Sequence, residues 1–469
     1  MTLKTRRYIF WLFLALFILV GTGAIFYSNG WRLDLEDCSF YSMSACTSIQ
    51  RTGGVFVKTQ QKGISIKIDD EVFSDKSGML QNGTLISNLL PKSYYLEIEK
   101  EGYQTWQKNV EVEPALVSKL AKVILVPNLI ESQALPLANK VNSFYQSAKE
   151  ETVFQNSNGL YYNQKNIPLK LRGDKFVLWN EPGDAFITFD SVKGIYYLNR
   201  LNDLSKIFNI SASFNNLNKN QKIEKIIFHP ADQEKLIIES NKKIYILDVT
   251  RLKLEKISED QLFVWTVQNP NIYYIKEAET TGVYSFNLIL KNETLLYGFS
   301  NEEADEILEI SADNGKTGIL KEKGNILIVS FQNKELEKIS VSNAKNIVFS
   351  PDKRKISFTG ADNKISVYLL ENEVEELSKG KGEIIELGFY SDNYLRIKST
   401  AWYKDSNHLL IEYLDPKNQL HIDFIEIDSR LPVNRYELAQ GEKMSYDLQT
   451  NRLFFIQENS LHFLDLNSF

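Results

Sequence analysis

Residues 142 to 466 repeat one unit: an apolar strand ending on an aromatic, a polar turn, then a second alternating strand. Five copies read plainly as FVLWNEPGDAFITF, KIIFHPADQEKLII, LFVWTVQNPNIYYI, NIVFSPDKRKISFT and STAWYKDSNHLLIEY. Three weaker copies are NSFYQSAKEETVF, EILEISADNGKTGIL and KMSYDLQTNRLFF. The strand-ending column is Tyr145, Trp179, Phe228, Trp265, Ile310, Phe349, Trp402 and Tyr446, spaced 34, 49, 37, 45, 39, 53 and 44 residues apart. The mean of 43 is the length of a four-stranded propeller blade. A helical solenoid would show a 3.6-residue period, which is missing here. The expected fold class is all-β: a seven- or eight-bladed β-propeller over 142–469, eight blades favoured because eight copies are visible. One weak copy shared between the two ends of the ring would make it seven. The column is read as the core between blades.

A different constraint acts at the other end. Tyr8 to Tyr27 (YIFWLFLALFILVGTGAIFY) carries no charge, and twenty residues of helix span roughly 30 Å, the thickness of a hydrocarbon core. Lys4, Arg6 and Arg7 precede it, so the positive-inside rule places residues 1–7 in the cytoplasm and everything after the segment outside. Thr22 and Ala24 make a poor cleavage site and the apolar run continues past them, which favours an uncleaved single-pass anchor over a signal peptide. Residues 28–52 are read as a juxtamembrane stalk. They hold the chain's two cysteines, Cys38 and Cys46. In an oxidising compartment these could close a short disulfide loop contributing roughly 2.5 kcal/mol, and two free thiols are the alternative.

Between anchor and repeat, residues 53–127 alternate with period two. Ile64, Ile66 and Ile68 face one way and Ser65 and Lys67 the other; Tyr94, Leu96 and Ile98 alternate with Tyr95, Glu97 and Glu99; Val110 and Val112 alternate with glutamates. With turns at Asp69-Asp70, Asn82-Gly83, Leu90-Pro91 and Glu101-Gly102, this predicts a small antiparallel β-sandwich. The stretches GGVFVKTQQKGISIKIDDEV and LISNLLPKSYYLEIEKEGYQTWQKNVEVE resemble a PEGA domain, a sandwich module of prokaryotic cell surfaces. The matching positions are Gly63, Asp69, Pro91, Tyr94, Gly102, Tyr103 and Trp106. The proline and alanine of the family's name are missing from Lys62-Gly63-Ile64, and Ser93 stands where the family has a turn glycine. Gly102 is expected at positive φ, and Tyr103 and Trp106 are expected to cap the sandwich core. Residues 128–141 read as a linker. In the repeat, Phe349-Ser350-Pro351-Asp352-Lys353 resembles the turn signature of bacterial TolB-type and peptidase-associated propellers. The whole arrangement is similar to a bacterial envelope protein.

Several chemistries find no footing. The sequence has no Gly-x-Ser-x-Gly elbow, no His-Glu-x-x-His, no P-loop and no dinucleotide glycine pattern. His229, His408, His421 and His462 are scattered without metal-ligand spacing, and His229 is expected to cap a turn. Asp313-Asn314-Gly315 lacks the rest of a calcium loop. Without Lys4, Arg6 and Arg7, 51 basic residues face 60 acidic ones, which argues against nucleic acid as a partner. The acidic runs at 302–306 and 371–376 read as solvated connections between blades, and sequons at Asn82, Asn209 and Asn292 as chance matches. No catalytic residue, metal or cofactor is assigned. The expectation is a non-enzymatic binding or scaffolding protein on the outer face of the cytoplasmic membrane, whose propeller engages envelope protein, peptide or polysaccharide. The alternatives are a glycosidase-like propeller with carboxylates from different blades, or a purely structural envelope component.

Overall fold

The computed structural model describes residues 3–34, 48–76, 83–137, 140–219, 221–299, 307–313, 317–322, 325–341, 344–361, 363–373, 379–387, 395–428 and 430–469. Cys38, Cys46, Asn82, Asn314, Gly315 and the acidic run 302–306 lie outside the described residues.

Helix α1 (Leu3–Ser28) includes the basic cluster as well as the apolar run. Within its Thr5–Ser28 portion an 18-residue window has a mean hydropathy of 2.5 and buries nothing against the rest of the protein; the helix is long and apolar enough to cross a membrane. Beyond it the stretch read as a stalk turns back on itself. Strand β1 (Trp31–Asp34) pairs antiparallel with β2 (Ser48–Arg51), Trp31 opposite Arg51. The ends of the stretch therefore meet at the helix terminus, where Thr52 N donates to Gly30 O at 2.7 Å.

The sandwich has two sheets. Strands β3 (Gly53–Thr59), β6 (Thr84–Leu89) and β9 (Val117–Val123) form one, in the order β6-β3-β9, with β3 and β9 parallel, so the sandwich is not wholly antiparallel as expected. Strands β4 (Ser65–Ile68), β5 (Glu71–Ser74), β7 (Ser93–Glu99) and β8 (Trp106–Glu111) form the other, in the order β5-β4-β7-β8. Period-two patterning does here what it must: Ile66, Ile68, Tyr94, Leu96 and Ile98 meet Val55, Val57, Ile86 and Leu120 in one core, while Tyr95 and Lys67 face outward. Gly102 sits at φ +82° and Gly63 at φ +70°.

Strand β10 (Gln133–Ala134) lies inside the stretch read as a linker. From Ser143 onward the chain makes seven four-stranded antiparallel meanders, blades 1 to 7, over 143–170, 175–209, 225–256, 262–298, 307–340, 345–387 and 396–440. The last three strands, Glu442–Asp447, Arg452–Gln457 and Ser460–Asp465, take β10 as their fourth, Gln133 opposite Phe463 and Ala134 opposite His462. Blade 8 is thus shared between the two ends of the chain, and the described residues hold eight blades. Each neighbouring pair of blades encloses its own apolar cluster. The eighth cluster joins Phe454, Ile456 and Leu461 of blade 8 to Phe144 and Phe154 of blade 1, so the ring is closed.

Seven column residues pack toward the preceding blade: Trp179, Phe228, Trp265, Ile310, Phe349, Trp402 and Tyr446. Tyr145 does not. It turns toward blade 2, stacked on Phe176 at 4.3 Å between ring centroids, and Phe144 holds the column position of blade 1. Successive strand residues face opposite ways, so assigning the column one residue late reverses its direction. The 49-residue interval between Trp179 and Phe228 accommodates helix α2 (Ile210–Leu217), whose Ile210 and Phe214 enter the cluster between blades 2 and 3. The side chain of Asn209, one of the sequon residues, caps that helix by accepting from Ala212 N at 2.9 Å.

Candidate functional site

Inner strands of neighbouring blades touch one another, as Leu262–Gln268 does Ile307–Asp313, so the first strand of each blade rings the central axis. In an antiparallel meander the connections between strands 1 and 2 and between strands 3 and 4 emerge on the same face. That face carries two contrasting regions.

The first is covered. Strand β8 of the sandwich docks on the connection between the third and fourth strands of blade 7. Gln107 N donates to Asn434 Oδ1 at 2.9 Å, Asn434 Nδ2 returns a bond to Gln107 O at 2.8 Å, and Asn109 N donates to Leu431 O at 2.8 Å. At the centre Lys108, with a fully buried side chain, forms an ion pair with Glu426 and donates to Arg430 O at 3.0 Å. Glu426 also accepts from Trp106 Nε1 at 3.0 Å and from Asn434 N at 2.8 Å. Burial pushes the Glu426 carboxyl up, and the Lys108 ammonium pulls against it. Asp428, held by Arg430, lies 3.8 Å from Lys108. Around this polar centre Ile124 and Val126 enter the cluster between blades 7 and 8, and Gln61 Nε2 donates to Ser468 O at 3.3 Å.

Trp106, expected as a core cap, does pack in the sandwich core, but its indole N–H reaches the propeller. Tyr103 packs at the edge of the same core and bridges to Pro127. The remaining motif positions shape turns. Asp69 Oδ1 accepts from Tyr95 N at 3.0 Å, Gly63 N donates to Asp75 Oδ2 at 3.0 Å, and Tyr94, three residues beyond half-buried Pro91, donates its hydroxyl to Leu90 O at 3.0 Å. The docking residues were missed in the sequence, although a signal was there. Trp106, Lys108, Val110 and Val112 share one face by alternation, so Lys108 is a lysine in an inward register.

The second region is open. A cavity of about 410 Å³ lies at the first turns of blades 2 and 3, across the ring from blade 7, and is walled by Trp179, Pro182, Phe228, His229, Pro230 and Val267. Its frame is fixed from behind. Trp179 Nε1 donates to Tyr145 O at 3.1 Å, and its ring meets Phe186 edge-on at 4.8 Å. Asn180 Oδ1 accepts from Asp184 N and Ala185 N, both at 2.9 Å, which holds the first turn. His229 Nδ1 accepts from Ala231 N at 3.2 Å, so the neutral ring carries its proton on Nε2, facing no partner among the described residues. Burial holds its pKa below the usual value, with Lys235 acting in the same direction. Glu181 stands exposed at the rim. The cavity offers apolar walls, one directed N–H and one carboxylate.

The first turns of blades 3, 6 and 7 share one device. A turn carboxylate accepts from backbone N–H groups two or three residues on: Asp232 from Glu234, Asp352 from Arg354, and Asp405 from Asn407 and His408. The other histidines have local partners too: His408 pairs with Asp405 at 2.6 Å, His421 with Glu437 at 2.9 Å, and His462 meets Ser132 at 3.2 Å. No group of three or more metal-ligating side chains occurs among the described residues. In the acidic run at 371–376, read as solvated, Glu373 is instead buried and pairs with fully buried Lys355 at 2.6 Å. Two carboxyls in blade 7's third strand, Leu420–Glu426, are pushed up by burial: Asp423, bound to Arg435, and Glu426, bound to Lys108. They face opposite sides of that strand and form no pair.

No family model matches the sequence, and no curated protein matches it. Among solved structures, the β-propeller domain of Cps50 (Swd1) from Myceliophteria thermophila is 9% identical over 73% of this chain and 100% of its own, with a TM-score of 0.40. Hsv2 from Kluyveromyces lactis is 12% identical over 64% of this chain and 100% of its own, with a TM-score of 0.42. An oligogalacturonate lyase in complex with manganese is 10% identical over 72% and 98%, with a TM-score of 0.40. At such values these likenesses add nothing to what the closed ring of eight sheets establishes by itself: the chain carries a β-propeller.

Proposed function

We propose that this protein is a membrane-anchored display protein of the bacterial cell envelope, non-enzymatic, with its propeller outside the cytoplasm engaging a protein or peptide partner. In this reading α1 is the single-pass anchor and the PEGA-like sandwich is the mount. The observation that carries the proposal is the division of one propeller face: the sandwich is locked onto blade 7 through Lys108 and Glu426, and the cavity across the ring is left open. A segment that places an apolar side chain between Trp179 and Phe228, a carbonyl on His229 Nε2 and a basic residue beside Glu181 fits that cavity's chemistry.

The test uses the full chain in lipid nanodiscs, exposed separately to peptide pools and polysaccharide pools prepared from the envelope of its source. Saturable retention of basic-apolar peptides, lost in Trp179→Ala, is the expected result. No retention of peptides, or retention indifferent to Trp179→Ala, overturns the proposal. Retention followed by cleavage of polysaccharide would establish the glycosidase alternative instead.

A further inference from the structure

The loop between β8 and β9 is tied to the end of α1 by a short chain of bonds. Thr52 N and Oγ1 both donate to Gly30 O, at 2.7 and 2.8 Å. One step on, Ala115 N donates to Thr52 O at 3.0 Å and Gly54 N donates to Leu116 O at 3.0 Å. Gly53 makes this approach feasible, since a Cβ there would lie 2.3 Å from Glu113 O and 2.8 Å from Leu116 O. The loop is thereby held beside the last turn of the helix, on the end of the sandwich away from the propeller.

What the loop shows at that level is apolar. Leu116 is 56% exposed and Val117 45%, and Pro114 and Ala115 beside them are exposed too. Exposed Tyr27 lies in the last turn of the helix and exposed Trp31 opens β1 just after it, and the Arg32 guanidinium lies over the Tyr27 ring at 3.6 Å while donating to Asn88 Oδ1 of β6 at 2.8 Å. Aromatic residues at the end of a spanning helix sit at the headgroup level, so anything bonded to that end shares their depth.

We propose that the Pro114–Val117 loop is seated in the boundary between headgroups and acyl chains of the bilayer that α1 crosses, making the sandwich a second point of membrane contact. This rests on reading α1 as membrane-spanning. The occupant of the surface is lipid because the patch is fixed at interfacial depth by its bonds to the helix terminus. Arg32, Arg51 and Lys119 stand against Glu111 and Glu113, an excess of one positive charge that is too small to select anionic lipid, so the contact is chiefly apolar. With helix and loop both engaged, the sandwich cannot swing about the end of α1, and the propeller face that bears it is turned toward the bilayer.

The test is spin-label depth measurement on the full chain in nanodiscs, with Cys38→Ser and Cys46→Ser and one label at a time on Phe17→Cys, Leu116→Cys, Val117→Cys or Val192→Cys. All four sites are exposed, and matched thermal unfolding confirms that each labelled chain is folded. Relative access to oxygen and to a water-soluble nickel chelate is expected to place Phe17 in the hydrocarbon, Val192 in water, and Leu116 and Val117 at the interface, equally in neutral and anionic lipid. Phe17 deep with Leu116 as accessible to nickel as Val192 would overturn the loop contact alone. Phe17 accessible to nickel would overturn the anchor, and the loop contact with it.

Discussion

One face of the propeller carries the strand 3–4 connection of blade 7 and the first turns of blades 2 and 3, yet the former is covered and the latter are open. At blade 7 the connection between the third and fourth strands meets the main chain of β8 with three hydrogen bonds and a buried ion pair. At blades 2 and 3 the walls are Trp179, Phe228 and two prolines, with Asn180 and His229 Nδ1 used to hold the turns from within and only His229 Nε2 and Glu181 left toward the opening. The difference shows that turn chemistry sets the shape of this face, while the side chains flanking each turn decide what it can receive. Charge that has a partner inside the chain makes the mount, and apolar surface without one makes the cavity.

The largest effect should come from splitting the buried pair. Glu426→Ala strands the Lys108 ammonium and is expected to lower stability by about 3–5 kcal/mol in chemical denaturation, whereas Lys108→Met with Glu426→Leu should recover most of that loss. If the double variant is as damaged as the single one, the junction depends on more than the charge pair. The aromatic column sharpens the contrast next. Trp402→Ala, in the closed core between blades 6 and 7, should cost about 3–5 kcal/mol. Trp179→Ala, half-buried at the cavity, should cost roughly 2 kcal/mol or less and abolish peptide retention. Equal destabilisation by both would remove the distinction between core and cavity.

A smaller change tests the rim. Glu181→Lys should weaken basic-apolar peptides by roughly tenfold, about 1.4 kcal/mol, with less loss at high salt. The smallest effect is that of pH. Because burial holds His229 below its unfolded value near 6.5, its contribution to stability is complete above that value and is lost as pH falls toward the folded pKa. Protonation also turns Nδ1 from acceptor to donor against Ala231 N. Peptide retention in wild type should therefore drop below pH 6.5, and His229→Gln should flatten the profile.

The ring was legible because an aromatic at a fixed strand position recurs at blade length, and alternation carried the sandwich in the same way. What failed did so for local reasons. Phe144 and Tyr145 are adjacent aromatics, so the pattern alone could not say which faces the preceding blade. Two residues, Gln133 and Ala134, are too few to show a period, and only their pairing with blade 8 reveals a strand. The mount joins residues 318 apart in sequence, beyond the reach of any local pattern, although Lys108 on an inward face announced that a buried partner had to exist. Of the candidate site, the turn-capping role of His229 could be read from its position, but the cavity around it is made by three blades together.

The most direct measurement is site-specific photocross-linking of the full chain in its native membrane, with a benzophenone amino acid at Gln233 beside the cavity or at Val192 on the opposite face of the propeller. The account requires one discrete cross-linked partner from Gln233, none from Val192, and loss of the product in Trp179→Ala. Equal products from both positions, or none from Gln233 while Val192 captures a partner, would contradict it.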